Sequence, residues 1–347
     1  MYVGKALGFK PEQVKVHTTF LGGGFGRRFE LDFVFQAAFA SKAAGAPVKL
    51  VWSREEDMRH DFYRPAAACR MTAGMDSAGA PVGMTAKVAS PSIFSRVFPQ
   101  MVKDGVDPMG VEGLAETPYA FGTHQVEYAL KNQGVPVGFW RSVGNSFTGY
   151  FQECFMDELA EAAKADPVAF RLSLLKAKPR FAAVLQKAAE LGEWDKPLPA
   201  GRARGVALHE SFGSIVAEVV EISQPSAGEV KVHQVACAVD CGLVINPDTV
   251  EAQMESAIVY GLSGAAYGKI AIENGRAQQG NFPDYPVVRM AQMPAMKVHV
   301  MASEAAHGGV GEPGTPPIAP ALVNALAKLT GKRLRSLPLS QHGLTLV

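Results

Sequence analysis

Cysteine is scarce in this chain of 347 residues: Cys69, Cys154, Cys237 and Cys241 are the whole set. Four thiols cannot frame a chain of this length as disulfides frame small secreted domains. Cys237 and Cys241, in "CAVDC", have no further ligands at the close spacing a metal centre wants. They are expected to be buried free thiols. An iron–sulfur cluster needs about four thiolates in a tight motif, which places any such centre outside this sequence. Excess charge of one sign is also absent. With 34 basic and 33 acidic residues the net charge is +1, which leaves no electrostatic footprint for nucleic acid or an acidic membrane surface. No apolar run approaches the ~20 residues of a spanning helix. The start, "MYVGKALGFKPEQ", has neither the basic nor the apolar region of a signal peptide. It reads as the tail of a helix already under way, with something expected upstream. The implied location is cytoplasmic, or periplasmic if the chain is exported with a partner. Internal repeats and low-complexity tracts are missing as well.

What the chain does have is enough apolar residue, 48%, to bury a sizeable core. A soft prior of roughly 150 residues per domain suggests two lobes. The best linker is 196–204, in "KPLPAGRARG", dividing a first lobe 1–195 from a second lobe 205–347. "VKVHTTFL" (14–21) alternates like a strand, "FELDFVFQAAFASKAAG" reads as an amphipathic helix ending at Gly45, and "VKLVWS" (48–53) reads as another strand. Two strands joined by a turn at 76–81 follow, and then an irregular stretch over 91–135 suited to active-site loops. A helical region starts at Phe147, breaks at the N-cap and N1 pair Asp166-Pro167, and resumes to about Trp194. Beyond the linker come a hairpin around 225–228, a helix capped by Asn246-Pro247, and a second hairpin at Asn274-Gly275. Hairpins mixed with helices, without regular βαβ alternation, argue an α+β fold.

Four stretches could carry chemistry. "TTFLGGGFGRRFELDF" runs from strand pattern through glycines into a helix, a design that exposes backbone N–H groups to an anion. It is neither a dinucleotide fingerprint, since Arg27 stands where the third glycine belongs, nor a phosphate loop, since no Lys-Ser/Thr pair follows. A tight turn or close backbone packing explains three glycines equally well. "GFWRSVGNSF" places Trp140 and Arg141 just before a helix, so Arg141 is either a buried guanidinium facing an anion or an interface or surface arginine. "VDCGLVINPDTVEAQMESAIVYGLSG" carries Gln253 on a helix whose small residues, Ala252, Ser256, Gly261 and Gly264, admit a flat cofactor or another backbone. "GGVGEPGTPPIAPALVNAL" sets one carboxylate, Glu312, on a loop shaped by Gly and Pro just ahead of a helix that closes at Gly331. A surface acid near a positive helix end is the plain alternative.

Together, in this order, the four stretches resemble molybdenum-containing hydroxylases of the xanthine oxidase type. The likeness is strongest to the C-terminal half of the large (β) subunit of the isoquinoline 1-oxidoreductase and aldehyde dehydrogenase branch. "RGVALHESFGSIVAEVVEIS" and "NFPDYPVVRM" extend it over nearly the whole chain. The resemblance implies the molybdenum-cofactor-binding fold of aldehyde oxidases, and molybdenum held through the dithiolene of molybdopterin cytosine dinucleotide with no direct protein ligand. It implies that Gly23, Gly24, Phe25, Gly26, Arg141 and Gln253 hold the cofactor, and that Glu312 is the general base. Phe29, Trp140 and Val143 would line the substrate pocket. The implied reaction hydroxylates an aldehyde or N-heteroaromatic carbon with oxygen from water, electrons leaving to 2Fe-2S clusters in a small partner subunit. Phe29 stands where the purine-oxidising branch carries a glutamate, and Val143 where it carries an aromatic, so purine is not the expected substrate. Asn145 replaces a histidine usual in this branch. Part of the cofactor cradle precedes Met1 in the family pattern. A second expectation of another class follows: a catalytically silent half-subunit that assembles with a separately encoded N-terminal half. Alone, such a chain is expected to fold without metal or pterin and to expose an apolar wall that favours self-association.

Overall fold

The structure, a computed structural model, describes residues 2–347 and has the expected α+β character. The helices are α1 (Tyr2–Leu7), α2 (Asp32–Ala44), α3 (Arg54–Arg59), α4 (Phe94–Val97), α5 (Asn145–Ala162), α6 (Pro167–Leu174), α7 (Pro179–Leu191), α8 (Pro247–Ala266) and α9 (Ile318–Thr330). The strands are β1 (Ala68–Met75), β2 (Pro81–Ser90), β3 (Thr123–Leu130), β4 (Arg202–Ser211), β5 (Ser214–Ser223), β6 (Glu229–Asp240), β7 (Ile272–Glu273), β8 (Arg276–Ala277), β9 (Ala295–Val300) and β10 (Thr345–Leu346). They fall into two compact units. One comprises 1–64, 134–141 and 270–284, and the other comprises 65–133, 142–269 and 285–347. This division differs from a split at 196–204. That stretch lies inside the larger unit, where Arg204 Nη1 donates to the carbonyls of Glu193 and Lys196 and holds the loop against β4.

The larger unit is built on a five-stranded sheet in which β4, β5 and β6 run antiparallel, while β9 and β10 both join β6 in parallel. Nine of the ten residues of β5 are buried, because helices cover both faces: α7 on one side and α9 on the other. A strand covered on both faces loses the polar alternation of a half-exposed one, as "SIVAEVVEIS" shows. The second sheet, β1-β2-β3, pairs β2 with β3 in parallel; β3 lies within the stretch expected to be irregular. The helical region after Phe147 breaks twice rather than once, at Pro167 and again at Pro179, each proline taking the first helical position where its missing N–H costs nothing. Between α5, α6, β4 and α9 sits a buried ion pair, Glu153 with Arg171, at 2.9 Å. All four cysteines are free thiols, and Cys237 and Cys241 are buried.

The smaller unit has a different character. α2 ends as expected, with Gly45 in the left-handed conformation (φ 62°), but it has no buried residue. The segments 14–21 and 48–53 do not form strands: neither has a ladder partner among the described residues, and Phe20 is fully exposed. Alternation alone does not make a strand when no neighbouring strand takes up its N–H and C=O groups. The hairpin β7-β8 does form, its turn residues Asn274 (φ 50°) and Gly275 (φ 75°) both at positive φ as a type I′ turn requires. No helix among the described residues is long and apolar enough to cross a membrane.

One core residue breaks the apolar rule. Glu218, fully buried at mid-β5 opposite Ala207 and Cys237, has no hydrogen-bond partner for either carboxyl oxygen among the described residues. Burial pushes its carboxyl well above the usual range, so the folded state holds the proton. The unfolded chain releases that proton near the ordinary value of about 4.3, so this group removes stability as pH rises above it. Replacing an unsatisfied buried acid with an apolar side chain of similar volume is therefore stabilising, by about 1–3 kcal/mol. Chemical denaturation of Glu218→Met and the parent from pH 4 to pH 8 is expected to show the variant's advantage growing with pH. A constant difference across that range would mean Glu218 has a partner and ionises.

Candidate cofactor and catalytic site

In the smaller unit the glycine stretch folds as a compact loop. Gly23 (φ 122°), Phe25 (φ 49°) and Gly26 (φ 93°) all take positive φ, and a short 3₁₀ turn, Arg27–Phe29, follows. Two of these positions admit only glycine. A Cβ on Gly23 would lie 2.6 Å from the Phe25 ring, and one on Gly26 would lie 2.2 Å from the Phe139 carbonyl oxygen. The loop is thus packed directly on the backbone that leads into Arg141. Arg141 is 2% exposed, and its guanidinium lies 5.6 Å from the centre of the Phe25 ring, a cation–π contact. Phe29 meets Phe139 edge-on at 4.7 Å, and Arg64 lies 4.2 Å over the Trp140 ring. Arg27 pairs with Asp32 through its terminal nitrogens Nη1 and Nη2, at 2.9 and 2.8 Å, which fixes the loop to the start of α2. Of the glycine-stretch and arginine-stretch residues singled out in the sequence, this unit brings Gly23, Phe25, Gly26, Phe29, Trp140 and Arg141 into one packed arrangement. Gly24 belongs to the same loop.

The chain passes into the larger unit at Ser142. Here Ser142 (φ 75°) and Val143 (φ 46°) form a turn leading into α5. The Glu312 carboxylate accepts the Ser142 N–H at 3.1 Å, and the Glu312 carbonyl accepts Ser142 Oγ at 2.7 Å and the Thr315 N–H at 2.9 Å. Glu312 is half-buried, and the prolines behind it, Pro313, Pro316 and Pro317, are buried. Its loop is therefore held from both sides, which answers to the rigidity its composition suggested. Gln253 is half-buried on α8, whose first turn is capped by Asn246 Oδ1 accepting the Thr249 N–H at 3.1 Å. Gly261 on the same helix lets another part of the chain come close: a Cβ there would lie 2.3 Å from Ile318 Cγ2.

Three residues that sequence reasoning passed over complete this region. Ser142 is fully buried and carries both bonds to Glu312. Glu112 accepts the N–H groups of Gly144 at 2.7 Å and Asn145 at 3.1 Å. Burial pushes its carboxyl up to about 7, the two amides opposing and the Glu312 and Asp107 carboxylates adding to the rise. His209, buried on β4, meets Asn145 Oδ1 through Nε2 at 2.8 Å, and burial lowers it to about 4, so it is neutral at ordinary pH. Its Nε2 must be the donor, because Oδ1 can only accept. Asn145 and His209 thus form a buried Asn–His pair at the start of α5. A signal for His209 was present, one imidazole inside the apolar run "GVALHES"; Glu112 offered only a carboxylate in a glycine-rich loop.

Comparison with known proteins bears on this arrangement. Residues 1–174 match one molybdopterin cofactor-binding domain and residues 155–294 match a second. The isoquinoline 1-oxidoreductase subunit beta of Brevundimonas diminuta is 36% identical over 340 residues, 96% of this chain and 43% of that protein. A protein of Gluconacetobacter polyoxogenes named membrane-bound aldehyde dehydrogenase [pyrroloquinoline-quinone] is 32% identical over 366 residues, covering 96% of this chain and 47% of its own length. The chain therefore spans less than half the length of these curated relatives. The crystal structure of quinoline 2-oxidoreductase from Pseudomonas putida 86 superposes with a TM-score of 0.81 over 97% of this chain and 69% of that one; at 12% identity it shows the shared fold. On these matches, the chain belongs to the molybdopterin cofactor-binding domain family.

Proposed function

We propose that this chain forms part of a molybdenum-dependent oxidoreductase that hydroxylates an aldehyde or N-heteroaromatic carbon with oxygen from water. The observation that carries the reading is the Glu312 carboxylate, held by the Ser142 amide on a loop anchored at both ends. The residues suit an anionic, flat, hydrogen-bonding cofactor. Arg141 offers a buried guanidinium, Gly22 has open space where a side chain would stand, and Gln253 presents an amide from a half-buried position. We assign Gly23, Gly24, Phe25, Gly26, Arg141 and Gln253 to the cofactor, in its cytosine dinucleotide form, and Phe29, Trp140 and Val143 to the substrate pocket.

When bound, the molybdenum cofactor supplies the two-electron oxidation of the substrate carbon. Glu312 acts as general base and takes up a proton as water oxygen is transferred, a role worth roughly 10²–10⁴-fold. Ser142 orients that carboxylate through its amide, and Arg141 balances negative charge on the cofactor. A small partner subunit carrying 2Fe-2S clusters would take up the electrons. The name of the Gluconacetobacter relative includes pyrroloquinoline quinone, and both domain matches name molybdopterin; we follow the domains.

A second reading, a half-subunit silent until it assembles with a separately encoded N-terminal half, is favoured by the surface of the smaller unit. Val16 is 78% and Val51 75% exposed, no residue of α2 is fully buried, and the two strand-patterned segments lack ladder partners among the described residues. Single exposed apolar residues are ordinary, but several large ones in one unit, Val16, Phe20, Leu21 and Val51, suit a surface that a partner covers. Purification with molybdopterin supply, alone and with candidate neighbouring gene products, followed by elemental analysis and release of the nucleotide, separates the readings. Near-stoichiometric molybdenum with CMP in the chain alone supports the first; metal only on co-expression supports the second. No molybdenum under either condition contradicts both.

In the metal-loaded enzyme, Glu312→Gln is expected to keep the cofactor and lower kcat by 10² or more, since the amide keeps the shape and loses the basicity. Turnover within tenfold of the parent would remove Glu312 from the base role. Arg141→Ala is expected to reduce molybdenum occupancy, because leaving a buried anionic group unpaired costs about 2–5 kcal/mol. Unchanged occupancy and kinetics would return Arg141 to a purely structural part.

A further inference from the structure

Two carboxylates hold one turn of the larger unit. Ser142 and Val143 are consecutive non-glycine residues at positive φ, 75° and 46°, a region such side chains seldom enter. A turn of this kind persists where surrounding contacts over-determine it. Glu312 supplies one set of contacts, to the amide and hydroxyl of Ser142. Glu112 supplies the other, accepting the N–H groups of Gly144 and Asn145. These amides open α5, an 18-residue helix, where the first N–H groups lack helical partners and the dipole favours an anion. Thr148 Oγ1 donates to the Glu112 carbonyl at 2.7 Å, so the backbone of this acid is also tied to the helix it caps.

We propose that Glu112 is a positioning residue for Glu312: by gripping the Gly144 and Asn145 amides it fixes the turn whose Ser142 N–H orients the Glu312 carboxylate. The consequence for turnover rests on the reading of Glu312 as general base, whereas the orientation itself is a property of this chain. The two acids also share an electrostatic field. The Glu312 and Asp107 carboxylates act on Glu112 and raise it, while His209, reached through Asn145, is neutral. A negative charge on either Glu112 or Glu312 makes the other hold its proton more tightly, and by linkage the effect is mutual. Ionisation of Glu112 near neutrality therefore strengthens Glu312 as a base.

The full-length chain with carboxyl-13C glutamate tests this by NMR titration, Glu112 and Glu312 being assigned through Glu112→Gln and Glu312→Gln. Amide exchange across 140–148 is followed in parallel by mass spectrometry. Glu112 is expected to titrate near pH 7 in the parent and at lower pH in Glu312→Gln. Glu112→Gln, which keeps an acceptor oxygen, is expected to retain protection of 142–145, and Glu112→Ala to lose it by tenfold or more. In the metal-loaded enzyme, Glu112→Gln should move the acid limb of the rate profile to lower pH. Unchanged protection in a folded Glu112→Ala protein overturns the proposal. So does a Glu112 midpoint that does not respond to Glu312→Gln, a measurement that stands even where Glu112→Ala fails to fold. An active Glu312→Gln enzyme with the coupling intact would remove the general-base reading and leave the positioning in place.

Discussion

The Glu153 carboxylate is fully buried and is met on both oxygens: Tyr119 donates its hydroxyl at 2.8 Å, Arg171 its Nε at 2.9 Å, and the Leu208 backbone its N–H at 2.9 Å. The Glu153 carbonyl in turn accepts Arg171 Nη2 and Asn324 Nδ2. One residue of α5 thereby connects α6, β4 and α9. Removing one partner of such a pair strands a charge in the interior at a cost of about 3–5 kcal/mol, whereas in the intact set both oxygens of the Glu153 carboxylate are hydrogen-bonded. α5 is thus anchored at Glu153, two turns beyond the turn Ser142 to Asn145 that leads into it. The same helix therefore carries both the buried Glu153 set and, just ahead of its first residue, the Ser142 contact to Glu312.

Buried ionisable groups in the larger unit are graded by how completely they are satisfied. Glu153 has a cation and neutral donors. Glu112 has two backbone amides and no ion-pair partner among the described residues, and burial brings it up to about 7. His209 has one amide oxygen and is neutral. Glu218 has no partner among the described residues and keeps its proton. The same burial that makes an unpaired charge costly leaves Glu112 as the member of this series poised to titrate near neutrality. The smaller unit works by other means: glycine positions that let one backbone lie on another, aromatic rings against guanidinium groups, and little buried apolar surface.

Much of the architecture was legible because its signals are local. Asn246-Pro247 caps α8, Gly331 ends α9 at φ 70°, Asp166-Pro167 opens α6, and Asn274-Gly275 turns a hairpin, each within a few residues of the groups it satisfies. The family, too, was legible, since its motifs are short stretches in a fixed order, and the domain matches bear it out.

Tertiary structure decided what depends on distant partners. The alternation in 14–21 and 48–53 states a strand preference, but a ladder requires a neighbour that no local pattern encodes. A linker composition at 196–204 could not reveal that the smaller unit is assembled from three separate stretches of chain. Glu312 and Ser142 are 170 residues apart, His209 and Asn145 are 64 apart, and Glu112 lies 33 before Asn145. Residue type and spacing mark which side chains can do chemistry. Which carboxylate receives which amide, and how strongly burial shifts its proton, is set by packing across the whole chain, where desolvation and hydrogen bonding are decided by neighbours remote in sequence.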